Sequence, residues 1–207
     1  MIFAFDCDGV LLDTNEPKVE AWRRTGNALG LDGDRLAEAQ VQGFGKNRRA
    51  IADDAGVDPA DYEELSARLD VAFDRVYDSC DATEGCRELI SSMSAGSVAA
   101  IVSGAKLAGF VPALDRLGLL SSFAIVIDGT TPKRTALAAL GHVGEPGYFF
   151  GDSSSDLVAA RGAGWRFVFV SQYSVETAAT RELLIRASSH CIQSLRDART
   201  IVAAATV

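Results

Sequence analysis

Two carboxylates two residues apart, Asp6 and Asp8, stand where a short apolar run meets a glycine, in Phe5-Asp6-Cys7-Asp8-Gly9-Val10-Leu11-Leu12-Asp13-Thr14. Acids this close repel, so one pKa must rise unless a cation lies between them. A hard dication such as Mg²⁺, with oxygen ligands and retained waters, relieves that repulsion. Asp13 is expected only to cap the following helix. A second acidic pair, Asp152 and Asp156, lies in Gly151-Asp152-Ser153-Ser154-Ser155-Asp156. Ser153 with Asp156 fits a capping box, so Asp156 has a structural use; Asp152 has none. Ser103, in Val102-Ser103-Gly104-Ala105, can offer its hydroxyl and neighbouring N–H groups to a phosphate oxygen, although Ser-Gly is also an ordinary turn. Lys133 and Arg134 follow Thr131 and Pro132, which suit the N-cap and N1 positions of a helix. Cations in a first helical turn oppose the macrodipole, and a phosphate or the Asp6 carboxylate nearby would remove that conflict.

The elements that must position these groups follow from hydropathy. Ile2–Asp6, Ser97–Val102, Ala124–Ile127, Tyr148–Phe150 and Arg166–Val170 are nearly all apolar without alternation, as strands covered on both faces are. Helical periodicity fills the intervals at Leu107–Leu117, Arg134–Leu140, Ser155–Ala163 and Thr177–Ala187. This rhythm predicts an α/β fold, a doubly wound parallel sheet with right-handed crossovers. Between Asn15 and Ala82 the rhythm fails: Val19–Leu29, Arg35–Val41, Arg48–Ala55 and Asp61–Tyr77 are helical and no strand intervenes. That is too long for a simple crossover. The expected organisation is therefore a core of residues 1–14 and 83–207 with an inserted α-helical subdomain at 15–82. In such sheets ligands bind beyond the carboxyl ends of the strands, where the polar stretches above fall.

Composition narrows the classes. The 207 residues are 48% hydrophobic, with 20 basic and 28 acidic side chains and a net charge of −8. This argues against nucleic-acid partners and a polybasic membrane surface. No apolar run approaches the ~20 residues of a membrane helix. The N-terminus lacks the pattern of a secretion signal. The four cysteines, Cys7, Cys80, Cys86 and Cys191, form no C-x-x-C pair, and with two histidines a zinc site is not expected. Free thiols and a cytoplasmic protein, monomer or homodimer, are the expectation.

In order and at matching topological positions, Asp6-x-Asp8-Gly9-Val10, Ser103, Lys133 and Gly151-Asp152-Ser153-x-x-Asp156 resemble the four motifs of the haloacid dehalogenase superfamily. The helical insert resembles that superfamily's small cap. The run His190-Cys191-Ile192-Gln193-Ser194-Leu195 is similar to its last short strand and exit. The resemblance implies a Rossmann-like core and Mg²⁺-dependent hydrolysis of a small phosphorylated metabolite, such as a sugar phosphate or phosphoglycolate. It implies that Asp6 attacks phosphorus and that Asp8 is the general acid and then base, its pKa raised by the Asp6 charge. Mg²⁺ would be held by Asp6, the Asp8 backbone carbonyl, Asp152 and Asp156; Ser103 and Lys133 would bind the transferring oxygens. The acid at position 8 argues for phosphoryl chemistry, since a departing halide needs no proton. Gly151 resembles the phosphatase members, whereas mutases of the family tend to carry an acid there.

The insert is expected to choose the substrate. Gly43-Phe44-Gly45-Lys46-Asn47-Arg48-Arg49 combines two glycines that let a loop bend with three cations, Lys46, Arg48 and Arg49, able to meet an anionic leaving group alongside Ser103 and Gly104. A loop leading into a solvated helix is the competing reading. Trp22 is read as core, with Phe44 a second aromatic of interest. Trp165, Phe167 and Phe169 are read as packing, and His142 and His190 as surface or turn residues. Two further functions stay open at this point: a phosphomutase, and a non-enzymatic phospho-accepting receiver, which the helical insert and second acidic pair fit poorly.

Overall fold

The computed structural model describes residues 1–93 and 96–205. Six parallel strands form one sheet in the order β3-β2-β1-β4-β5-β6. They are β1 (Ile2–Phe5), β2 (Val98–Val102), β3 (Ile125–Ile127), β4 (Pro146–Gly151), β5 (Arg166–Val170) and β6 (His190–Ile192). This is the Rossmann-like, doubly wound arrangement, and its order reverses between β1 and β4.

The absence of alternation along the strands has its cause in the two layers. Phe3 and Phe5 of β1 join a buried cluster with Ile101, Tyr148, Phe150 and Val168 on one face. Ile2 and Ala4 join Ala100, Phe149, Phe167 and Phe169 on the other. Side chains on both faces of the central strands therefore meet apolar neighbours, which selects hydrophobic residues at consecutive positions. The first face is covered by α5 (Cys86–Ser92), α6 (Leu107–Arg116) and α10 (Arg199–Ala205), through residues such as Leu89, Phe110 and Val202. The second is covered by α7 (Lys133–Val143), α8 (Ser154–Gly162) and α9 (Ala178–Ala187), through Leu137, Ala160 and Leu184. Trp165 packs in that second layer and donates from Nε1 to the Leu137 carbonyl.

Between β1 and β2 the chain forms α1 (Asn15–Ala28), α2 (Gly33–Gln42), α3 (Arg48–Asp54) and α4 (Pro59–Ser79). These helices bury a separate cluster of Trp22, Leu36, Ile51, Leu65 and Leu69. Three have side-chain caps: Asp32 accepts from Arg35 N, Asn47 from Ala50 N and Asp58 from Ala60 N. Pro59 occupies the first turn of α4, where its missing N–H is no loss.

Local details depart from the sequence reading. Helix α5 is preceded at its N-cap by Gly85, whose φ of 79° is open to glycine and where a Cβ would lie 2.1 Å from Arg196 N; the short Cys86–Ser92 segment has no side-chain cap and carries little periodic signal. Helix α7 is capped at Pro132, not Thr131, and starts at Lys133. Asp13 does not cap α1; Thr14 holds that position and makes no side-chain cap bond, because its hydroxyl is used elsewhere. No described helix is long and apolar enough to cross a membrane. All four cysteines are free, with Cys7, Cys80 and Cys86 buried and Cys191 exposed. His142 and His190 are exposed.

Candidate active site

Pairing of β1 with β4 sets the site. Phe5 lies beside Phe150, and the next residue, Asp6, donates its N–H to the Phe150 carbonyl at 2.9 Å. Asp6 and Asp152 thus leave adjacent strands at their carboxyl ends, at the point where strand order reverses. Asp156 arrives from the first turn of α8, where it and Ser153 form a capping box. Carboxylate oxygens of Asp6, Asp152 and Asp156 lie within 4.8 Å of one another, and all three residues are buried. Lys133 reaches this cluster from the N-terminus of α7: its Nζ is 2.7 Å from Asp6 Oδ2 and 2.6 Å from Asp156 Oδ1. The anions that a cation at a helix N-terminus requires are these two carboxylates.

Three buried acids stand against one ammonium, which pairs with Asp6 and Asp156, so the cluster holds an excess of negative charge. Burial pushes Asp6 up to about 7, the Lys133 ammonium working against it and the Asp156 charge with it. Asp152 is raised well above the carboxylate range, first by burial and then by the charges of Asp156 and Asp6. Lys133 is raised: burial alone would lower it, but Asp156 and Asp6 outweigh that. Asp152 Oδ1 is buried and has no hydrogen-bond partner among the described residues. A donor set made only of carboxylate oxygens, with one oxygen orphaned, fits a hard divalent cation.

Asp8 sits apart from that cluster. Its Oδ1 accepts from Thr14 Oγ1 at 2.6 Å and from Tyr77 OH at 3.0 Å, and lies 2.6 Å from Lys18 Nζ. Lys18 also donates to Tyr77 OH at 2.6 Å, with the ammonium 4.3 Å from the ring centroid. Burial pushes Asp8 upward, yet the Lys18 charge and the bonds from Lys18, Thr14 and Tyr77 together bring it below its ordinary value. The expectation that Asp6 raises Asp8 is therefore corrected. The compensating cation comes from α1 and the phenol from α4, neither of which carries a visible mark in the sequence. Thr14 and Lys18 stand four positions apart, so their shared side of α1 was legible, but their pairing with Asp8 was not.

Gly9 explains how so many groups fit. It adopts a φ of 72°, and a Cβ there would lie 2.1 Å from Asn15 Nδ2 and 2.6 Å from Asp152 Oδ2. Ser103 is buried after β2, and its hydroxyl accepts from Ala105 N at 3.0 Å. Gly104 follows within 3.7 Å (for an added Cβ) of the Lys133 side chain.

A cavity of about 910 Å³ opens over the cluster, bordered by Asp6, Asp8, Gly104 and Lys133 below and by the helical segment above. Phe44, Tyr62 and Phe73 line its upper wall, as does Trp22, whose buried Nε1 has no partner among the described residues. Lys46, Arg48 and Arg49 line it too, but each has an acid of its own. Lys46 pairs with Asp54 at 2.7 Å, Arg48 with Asp70 at 2.8 Å and Arg49 with Asp53 at 3.0 Å. Arg48 also donates to the Ser66 carbonyl and lies over the Phe73 ring. Gly45, at φ 88°, brings this loop down onto α8: a Cβ there would sit 2.5 Å from Ser155 Oγ.

Residues 3–170 match the family model of haloacid dehalogenase-like hydrolases. No curated protein sequence matches the chain. Among solved structures, one from Lactobacillus plantarum, assigned as a phosphoglycolate phosphatase, is similar at 19% identity and a TM-score of 0.78, covering 97% of this chain and 98% of its own. One from Haemophilus somnus with the same assignment has 15% identity and a TM-score of 0.80, covering 97% and 96%. One from Thermotoga maritima, assigned as a beta-phosphoglucomutase, has 20% identity and a TM-score of 0.72, covering 98% of each chain. At these identities the likeness establishes the fold.

Proposed function

This chain belongs to the haloacid dehalogenase-like hydrolase family, and we propose that its site hydrolyses small phosphomonoesters, of the sugar-phosphate or phosphoglycolate kind, with Mg²⁺. The observation that supports this most is the meeting of Asp6, Asp152 and Asp156 with Lys133 at the switch point of the sheet. Asp6, Asp152 and Asp156 would hold the ion, together with the Asp8 backbone carbonyl. When bound, it neutralises the carboxylates and the phosphoryl oxygens and so lets an anionic substrate approach.

The rest of the chemistry falls to side chains. Asp6 attacks phosphorus; its bond to phosphorus forms as the bond to the ester oxygen breaks, leaving an aspartyl-phosphate and an alcohol. Asp8, beside the leaving oxygen, supplies its proton and afterwards takes one from the water that cleaves the aspartyl-phosphate. The Lys18 contact favours the second, basic half of that cycle, and the acidic half requires it to loosen as the leaving group enters. Lys133, Ser103 and the backbone at Gly104 bind the phosphoryl oxygens, over which charge spreads in a loose transition state.

Residues 15–82 act as a cap over this chemistry. The wall they offer is balanced in charge, with Phe44, Tyr62 and Phe73 in it, so it selects a leaving group by shape and hydrogen bonding. Lys46, Arg48 and Arg49 contact substrate only by exchanging their acidic partners. A phosphomutase is the second reading, since a structure of that assignment shares the fold. Against it stands Gly151, where a Cβ would lie 2.5 Å from that of Asp156, leaving no room for an acidic side chain.

Release of inorganic phosphate from a panel of phosphomonoesters, with and without Mg²⁺, tests the proposal, using Asp6→Asn as reference. Mg²⁺-dependent release lost in Asp6→Asn supports hydrolysis. Equal release by Asp6→Asn sinks the mechanism, and isomerisation that requires a bisphosphate primer, with little phosphate set free, establishes the mutase.

A further inference from the structure

We infer that Asn15 is a positioning residue of the cation site: it ties one oxygen of Asp152 and leaves the other for the ion. The inference rests on the cation assigned under the proposed function and extends the site into the helical segment. Asn15 is 3% exposed and is the first residue of α1. Its Nδ2 donates to Asp152 Oδ2 at 2.6 Å and to the Tyr173 carbonyl at 3.0 Å. A side-chain amide has two N–H bonds, so both are spent. Asp152 Oδ1, by contrast, is buried without a partner among the described residues. Leaving a carboxylate oxygen so is costly, and the carboxylate lies among those of Asp6 and Asp156.

The geometry leaves the amide little freedom. The turn at Gly9 presses against the pair, with the space of one Cβ already filled by Asn15 Nδ2 and Asp152 Oδ2. On the far side, the loop after β5 closes the arrangement: Tyr173 takes the second amide hydrogen, and Ser174 Oγ donates to the Asp152 carbonyl at 2.7 Å. Three residues further along α1, Lys18 contacts Asp8. One helical turn therefore touches both the ion-binding acid and the acid–base residue.

A tie between α1 and the loop at Tyr173 would be structural and nothing more, and the two roles separate by experiment. Full-length protein stripped of metal is titrated with Mg²⁺ by calorimetry, and its denaturation midpoint is measured with and without Mg²⁺. For Asn15→Ala the Mg²⁺ Kd is expected to rise about tenfold or more, the size of effect typical when a partner that orients a metal ligand is removed. The gain in midpoint that Mg²⁺ confers should shrink in parallel. Asn15→Ser, too short to reach Asp152, should behave alike and carries the comparison where the alanine variant does not fold. A Kd within twofold of wild type, with stability lost equally in both conditions, overturns the inference. Wild type that binds Mg²⁺ yet releases no phosphate overturns the proposed function and leaves this inference standing; wild type that binds no Mg²⁺ overturns both.

Discussion

The two walls of the cavity handle charge in opposite ways. Below, Lys133 pairs with Asp6 and Asp156, Asp152 adds a third buried carboxylate, and one oxygen of Asp152 has no hydrogen-bond partner among the described residues. Above, Lys46, Arg48 and Arg49 each have a carboxylate from the same helical segment, and most of these side chains are substantially exposed. A buried imbalance is expensive and persists only when something repays it, a part that the ion and phosphoryl group of the proposed function would play. A balanced, wetted pair is nearly neutral in energy and carries no such implication. The floor of the cavity concentrates charge, and its roof balances it.

The contrast can be broken hardest at the floor. Asp6→Asn should lower the turnover of phosphomonoesters by about 10⁴-fold or more while leaving the fold intact, as removal of a nucleophile does; residual turnover near wild type would show that the acidic cluster is not the reacting centre. Asp8→Asn should lower turnover by about 10²–10⁴-fold, the range for a lost general acid–base group, with little change in Mg²⁺ affinity measured by titration.

A third test uses stability. Asp6 is raised to about 7 in the folded protein without an ion, above an ordinary carboxylate near 3.8. Between those values the folded state binds more protons than the unfolded state, so stability should fall as pH rises through that window. Denaturation midpoints measured across pH in a chelator should show this decline, and saturating Mg²⁺ should remove it. Asp8 has the opposite sign: it lies below its ordinary value, so the stability it contributes is present above that value and is lost as pH falls through the lowered one. A flat profile in the chelator would mean the cluster carries no excess charge.

The smallest effects belong to the roof. Lys46→Met and Arg49→Met should alter turnover within about threefold and stability by about 0.2–1 kcal/mol, as for exposed ion pairs. A KM raised tenfold or more with kcat unchanged would show instead that these cations leave Asp54 and Asp53 to hold the substrate, and the distinction between floor and roof would narrow.

Where the chain could be read and where it could not follows from range. Runs such as Arg166–Val170 declare buried strands because both faces of the sheet impose the same demand on consecutive residues. Asp6, Asp8 and Asp152 stand out because acids at strand ends near Gly9 and Gly151 have few structural uses, and Asp156 gains meaning from its place one turn beyond Asp152. Capping chemistry was legible at Ser153 and misled at Asp13 and Thr131: Thr14 spends its hydroxyl on Asp8, and Pro132 takes the cap of α7. Both misreadings fall beside the site, where local rules give way to function.

By itself, then, the order of residues determined the α/β architecture and the short-range motifs, since periodicity and spacing act within a turn or a strand. The tertiary structure alone decided the partners: that Lys18 and Tyr77 would hold Asp8, that Asn15 would reach across 137 positions to Asp152, and that Arg48 would turn to Asp70. Such pairings depend on how helices sit on a sheet, and that is set by the packing of apolar faces whose own sequences say nothing of the polar groups they bring together.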